Sequence, residues 1–299
     1  MTSLTLEDFG LDAGWREAFE RANSDPRSQL GRIVSVHYGG SFVRTEHGVV
    51  LATTTPSARR GRRSETKRKP AVGDWVVLRP QGDTALLELI LPRRTQLLRR
   101  AAGEAPIPQI VAANVDVMLV CMALGADFNV RRVQRYFALL EDADGALEAI
   151  APAVVLTKCD TQTPEEVQAR VAELHAEIPE CTVHPVSTLA GVGLDALCTQ
   201  LVNGRTAVLL GSSGVGKSTL LNALAGAEHM AAGAVRAKDE KGRHTTTHRE
   251  LFRLPSGALM IDTPGLREVG LLDEDDVGAR RPRRGSGSKA RHTSPRRYK

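Results

Sequence analysis

Ala207-Val208-Leu209-Leu210-Gly211-Ser212-Ser213-Gly214-Val215-Gly216-Lys217-Ser218-Thr219 joins a short apolar run to a glycine-rich turn and then to a helical pattern that continues to Ala225. Strand, G-x-x-x-x-G-K-S and helix in that order make a P-loop. The glycines let main-chain N–H groups converge on phosphate oxygens, and the helix N-terminus adds partial positive charge. Lys217 then reaches the β and γ phosphates, and the Ser218 hydroxyl is a ligand for Mg²⁺.

Downstream, the apolar run Leu259-Met260-Ile261 ends in Asp262-Thr263-Pro264-Gly265. Asp262 therefore sits at a strand's C-terminal end beside the P-loop, where a carboxylate holds the magnesium water shell, with Gly265 on the phosphate side. Between the two motifs, Gly242-Arg243-His244-Thr245-Thr246-Thr247 has charged flanks and no period. It reads as a switch loop whose Thr246 hydroxyl reaches Mg²⁺ and the γ-phosphate, or as the start of an edge strand from Thr245 to Phe252; the two are compatible. Leu266 occupies the place where Ras-like enzymes carry a water-orienting Gln, so that group must come from elsewhere, and His244 is the candidate.

Upstream, Thr157-Lys158-Cys159-Asp160 closes the apolar strand Ala153 to Leu156. The Asp160 carboxylate can accept two hydrogen bonds from guanine N1 and N2, which adenine does not offer, while the Lys158 stem packs on the base. Ser187, at the end of the next strand, is placed to meet guanine O6 through the backbone. Thr157 stands where GTPases usually carry Asn and keeps a hydroxyl for bridging to the P-loop region.

The order is informative. Guanine reader and Ser loop precede the P-loop, whereas the usual GTPase begins with the P-loop; this is a circularly permuted P-loop GTPase domain. Buried runs at 115–120, 153–156, 183–186, 207–210 and 259–261 alternate with helical patterns at 130–140, 164–178, 193–201 and 217–225, which predicts an α/β fold with a parallel sheet and helices on both faces. In front lie short β-rich runs at 31–36, 41–44, 48–51, 74–78 and 85–90, the pattern of a small barrel. Residues 1–28 mix polar and apolar positions around Trp15 and Phe19 and read as one short helix or an arm. Between Pro56 and Pro70, Arg59, Arg60, Arg62, Arg63, Lys67, Arg68 and Lys69 face a single Glu65, which suits a nucleic-acid groove or a merely solvated loop.

The permuted order, the barrel ahead of it and the strings Asp127-Phe128-Asn129-Val130-Arg131-Arg132, Gly211 to Thr219 and Arg243-His244-Thr245-Thr246-Thr247 resemble the ribosome small-subunit-dependent GTPase family RsgA/YjeQ, from about Leu30 to Asp276. The resemblance implies an OB-fold barrel, GTP/GDP and Mg²⁺ as ligands, the small ribosomal subunit and its rRNA as partners, and a role in late subunit maturation. The expected division is an arm at 1–29, an RNA-binding barrel at 30–98, the GTPase domain at 99–276 and a basic tail at 277–299.

That tail departs from the family. The resemblance implies a zinc domain built on three Cys and one His, yet no Cys follows Cys198, and His292 alone cannot build a tetrahedral site. Zinc is not expected, and the abrupt change to an acid-free, Arg-rich tail reads as a frame change or truncation, or else as a native RNA-binding tail. The tail holds nine of the 40 Lys and Arg residues and none of the 35 Asp and Glu. Without it the balance is 31 − 35 = −4, so the formal charge of +5 is a tail property.

At 299 residues, 41% hydrophobic and 25% charged, the chain is ordinary globular material rather than a disordered or fibrous one. It contains no apolar run long enough to span a bilayer, no signal sequence and no C-x-x-C, so the expected protein is a cytoplasmic monomer with reduced cysteines and no membrane partner. An RNA-binding module with a guanine-nucleotide clamp of little turnover is the alternative from another class, and an ATPase is the third.

Overall fold

A computed structural model describes residues 4–23, 25–54, 69–99, 109–125, 127–141, 150–179, 181–226 and 249–262. Five strands open the architecture: β1 (Gln29–His37), β2 (Gly40–Thr45), β3 (Gly48–Thr54), β4 (Trp75–Gln81) and β5 (Thr84–Ile90). Their order is β1-β2-β3-β5-β4, and β4 returns to pair with β1, so the ring is closed; β3 and β5 run parallel and the other pairs antiparallel. Closure leaves no open strand edge. Ile33, Val43, Val76, Leu78 and Leu87 fill the interior of this OB-like barrel.

Strand β4 begins with four consecutive buried residues instead of alternating. The cause is the N-terminal segment. Its helix α1 (Ala13–Ala22), capped by Asp12 accepting from the Trp15 N–H at 2.9 Å, lays Trp15, and the residues ahead of it lay Leu6 and Leu11, against Trp75, Val77 and Leu91 on the outside of the barrel. The Trp15 and Trp75 rings lie 5.8 Å apart. The segment that reads as a helix or an arm is therefore a helix docked on the barrel wall.

A hairpin of β6 (Gln96–Arg99) and β7 (Gln109–Ala113) leads to the second sheet region. There β8 (Val117–Ala123), β9 (Ala151–Thr157), β10 (Thr182–Pro185), β11 (Thr206–Leu210) and β13 (Leu259–Asp262) run parallel in the order β10-β9-β8-β11-β13. Every residue of β8 is buried, as a strand covered on both faces requires. One face packs Leu119, Cys121 and Leu209 against Leu197 of α4 (Leu194–Cys198) and against Leu220 and Leu224 of the helix over 217–226. Helices α2 (Val130–Glu141) and α3 (Pro164–Glu177) complete the α/β set; α3 starts with a capping box, Thr163 and Glu166, and has Pro164 in its first turn.

Strand β12 (Glu250–Arg253) is antiparallel to β13 on one side and pairs with barrel strand β1 on the other, Glu250 opposite Ser35. Barrel and α/β region thus form one 11-stranded sheet. A second joint lies beside it. Arg32, 2% exposed, sends Nη1 to the Phe9 carbonyl at 2.5 Å, Nη2 to the Thr206 hydroxyl at 2.8 Å and the Asn114 carbonyl at 3.3 Å, and Nε to the Gly73 carbonyl at 3.3 Å. Burial pushes its pKa down to about 10, opposed by the nearby Asp116 and Asp74, so the guanidinium stays charged at neutral pH. Gly73 lies at this joint with φ +92°, and a Cβ there would stand 2.1 Å from the Ala113 carbonyl oxygen; the two backbones meet without room for a side chain.

Candidate active site

The P-loop rises from β11, all five of whose residues are buried. Gly211 has φ +140°, and a Cβ on it would lie 2.3 Å from the Cys121 carbonyl oxygen at the end of β8, so the first position of the loop admits no side chain. Residues 217–226 then form the helix that the motif requires. The Lys217 ammonium donates to the Gly211 carbonyl at 2.7 Å and to the Ser212 carbonyl. It is folded back over the loop that is to receive phosphate. Beneath it, burial drives the Cys121 thiol up to about 12, which keeps it a neutral packing group.

The segment expected to read guanine, Thr157 to Asp160, leaves the end of β9, two strands away in the sheet and, at Thr157, 58 positions away in the chain from the residue it touches. The Thr157 hydroxyl, 4% exposed with its residue, donates to the Val215 carbonyl at 2.5 Å, and the Lys158 ammonium donates to the Gly214 carbonyl at 3.1 Å. Lys158 holds φ +60°, an uncommon conformation for a residue with a side chain, and this turns the chain into the short 3-10 turn Cys159–Thr161. Asp160 is exposed within that turn. Ser187 is buried; its N–H and carbonyl are both used by Val192, and its hydroxyl accepts from the Ala190 N–H at 3.0 Å. The Cys159 N–H donates to the Val186 carbonyl, which ties the segment at 157–160 to the Ser187 loop.

Of the residues expected at the site, Thr157, Lys158, Asp160, Ser187 and Gly211 to Thr219 lie at the same end of neighbouring strands, with Asp262 closing β13. His244, Thr246 and Gly265 lie outside the described residues, as do Arg59 to Arg68 of the basic loop and the tail. Ser218 and Asp262 supply a hydroxyl and a carboxylate, hard oxygen donors that fit Mg²⁺ once nucleotide phosphates complete its shell.

Thr157→Val removes one hydroxyl with little change in shape. It leaves the Val215 carbonyl without its 2.5 Å donor. The expected result is a loss of about 1–3 kcal/mol in stability, with a several-fold weakening of nucleotide binding as the P-loop loses its tie to β9. Thr157→Ser should retain both. Urea unfolding and fluorescent-nucleotide titration of the pair check this; equal behaviour of the Val and Ser variants would contradict it.

A family model described as RsgA GTPase matches residues 90–272. The chain is 44% identical over 269 residues to the small ribosomal subunit biogenesis GTPase RsgA of Xanthomonas axonopodis pv. citri, covering 89% of this chain and 70% of that protein. It is 42% identical over 276 residues to the RsgA of Syntrophotalea carbinolica, covering 89% and 73%. In fold it is similar to YjeQ from Thermotoga maritima, with a TM-score of 0.58 and 23% identity over 81% of this chain and 76% of that one. It is also similar to YloQ, a circularly permuted GTPase, with a TM-score of 0.55 and 24% identity over 85% and 77%. A barrel followed by a sheet whose P-loop strand comes after the strand that leads to residues 157–160 is the architecture of a circularly permuted P-loop GTPase. Within that class, the chain belongs to the RsgA GTPase family.

Proposed function

We propose that the protein hydrolyses the β–γ bond of GTP and couples the reaction to binding, late maturation and release of the small ribosomal subunit. The observation that carries the nucleotide reading is the Thr157 hydroxyl seated on the Val215 carbonyl, which sets the guanine reader directly against the phosphate loop. Relatives at 42–44% identity are named for small ribosomal subunit biogenesis, and that supports the partner.

In this reading Asp160 accepts from guanine, Lys158 covers the base and the Ser187 loop meets O6. Gly211 to Thr219 cradle the phosphates. Ser218, Thr246 and Asp262 hold Mg²⁺, which neutralises phosphate charge; the Gly265 N–H meets the γ-phosphate and His244 orients water. P-loop GTPases without an arginine in cis turn over at roughly 10⁻⁴ to 10⁻³ s⁻¹ alone, so the subunit acts as the stimulating partner. The proposed division keeps the barrel at 30–98 as the rRNA-binding part, through its basic loop, and 99–276 as the GTPase domain. Action as a cytoplasmic monomer completes the proposal; among the described residues no helix is long and apolar enough to cross a membrane.

The deciding experiment is multiple-turnover phosphate release with and without small subunits. Stimulation by one or more orders of magnitude is expected; binding of subunits without stimulated release would replace this reading with the nucleotide-clamp alternative. Asp160→Asn should erase most of the preference for GTP over ATP, because a carboxamide cannot accept both guanine hydrogen bonds. Competition of GTP, GDP and ATP for the variant measures it, and an unchanged preference would remove the role given to Asp160.

A further inference from the structure

Between β8 and α2 runs Asp127-Phe128-Asn129-Val130-Arg131-Arg132, a string outside the nucleotide motifs. Its geometry is built. The Asn129 carboxamide oxygen accepts from the Arg132 N–H at 3.0 Å and so caps α2, and the Asn129 N–H meets the Met122 sulfur at the end of β8. Phe128 lies under the Arg170 guanidinium of α3, 4.8 Å from the ring centre. Anchored at both ends, the string presents Asp127 and Arg132 to the P-loop.

The Ser212 hydroxyl donates to the Asp127 carboxylate, 3.3 Å from each oxygen. Arg132 Nη1 donates to the same carboxylate at 2.5 Å and to the Asp127 carbonyl at 3.3 Å, and lies 3.4 Å from the Ser212 hydroxyl oxygen. The two side chains are about one-third exposed or less, 28% for Arg132 and 32% for Asp127. Ser212 is thereby held twice, its side chain by this pair and its carbonyl by Lys217.

A carboxylate bonded to a phosphate-binding loop is at first sight the wrong charge. Left alone it would repel a polyphosphate, and more strongly the more phosphates the ligand carries. We propose that Asp127 and Arg132 are a charge-balanced pair of positioning residues for the nucleotide: Asp127 fixes the second residue of the P-loop, and Arg132 cancels the carboxylate so that the fixed loop still accepts a triphosphate. The inference rests on the P-loop being the phosphate cradle. The pair sets how well the site distinguishes GTP from GDP, which differ by about one negative charge.

Opposite signs test it. Arg132→Gln leaves Asp127 uncompensated and should weaken GTP on the order of tenfold and GDP by roughly threefold less than that, lowering the GTP/GDP affinity ratio. Asp127→Asn leaves Arg132 unopposed and should shift the same ratio the other way. The double variant should return the ratio to within about twofold of wild type, although both affinities fall with the loosened loop. Arg132→Lys, which keeps the charge, should hold the ratio even where affinity drops. Fluorescent GTP and GDP titrations at two salt concentrations read all four, with the shifts shrinking at high salt. If both single variants move the ratio in one direction, or neither moves it, the pair is only a structural staple and the inference is overturned. Should Arg132→Gln fail to fold, the direction of the Asp127→Asn shift decides alone. Failure of wild-type protein to bind either nucleotide would instead sink the P-loop reading itself.

Discussion

Lys217→Ala is expected to cost at least two orders of magnitude in GTP affinity and to bring phosphate release down to background. The ammonium is the charge that the motif brings to the β and γ phosphates, and main-chain N–H groups alone do not neutralise a triphosphate. In the described structure the same ammonium rests on the Gly211 and Ser212 carbonyls. Both contacts lie within the loop itself and tie no other element to it, so their loss should cost the fold little. The variant should therefore melt within a few degrees of wild type while losing nucleotide, which separates a ligand effect from unfolding. Fluorescent-nucleotide titration, phosphate release and a thermal melt together make the measurement. Wild-type affinity and turnover in the variant would remove the P-loop assignment.

Arg32→Met is expected to have the largest effect on stability, about 3–5 kcal/mol. The site is almost fully buried, and the shorter Met fills most of it with an unbranched apolar chain. What disappears is the donor set. The carbonyls of Phe9, Gly73 and Asn114 and the hydroxyl of Thr206 lose their shared partner at once, in a region that water reaches poorly. Each buried acceptor left unmet costs about 1–3 kcal/mol, partly relieved by relaxation and by the Asn114 carboxamide that still donates to the Gly73 carbonyl, and Asp116 loses a nearby positive charge while Asp74 keeps its pair with Arg93. The melting temperature should fall on the order of 10 °C. Arg32→Lys should recover only a fraction, since a compact ammonium cannot span four acceptors. Chemical unfolding with both variants tests this; a Met variant within 1 kcal/mol of wild type would mean that the joint is optional.

What could be read from the chain followed the range of the physics involved. The P-loop, the helical pattern at 164–178 and the strand-ending Asp160 and Asp262 are local patterns, and the permuted order is a property of the chain itself. Strands β8 and β11 were visible as unbroken apolar runs because both faces are covered. By contrast, Gln96–Arg99 is four residues long with no period of its own, and its hairpin is paid for by pairing with Gln109–Ala113 across a long connection. Helix α1 has a mixed pattern around Trp15, and only its packing on Trp75 shows which face matters. Arg32, within Gly31-Arg32-Ile33-Val34, looks like an outward strand position; its four acceptors come from elements as far as Thr206, 174 positions away. Asp127 and Ser212 stand 85 positions apart, and no local signal joins them.

The pairing of β12 with β1 has a consequence for solubility. A sheet of the order β10-β9-β8-β11-β13-β12 ends in two strand edges, each a row of unpaired main-chain groups that invites a stranger's strand. The β10 edge is guarded by brevity and by Pro185, which has no N–H to offer. The β12 edge is equally short but has no proline, and it is occupied by the chain's own barrel through β1. The barrel is thus an end-stop as well as a domain, and a GTPase region cut away from it would present β12 as an open template for self-association.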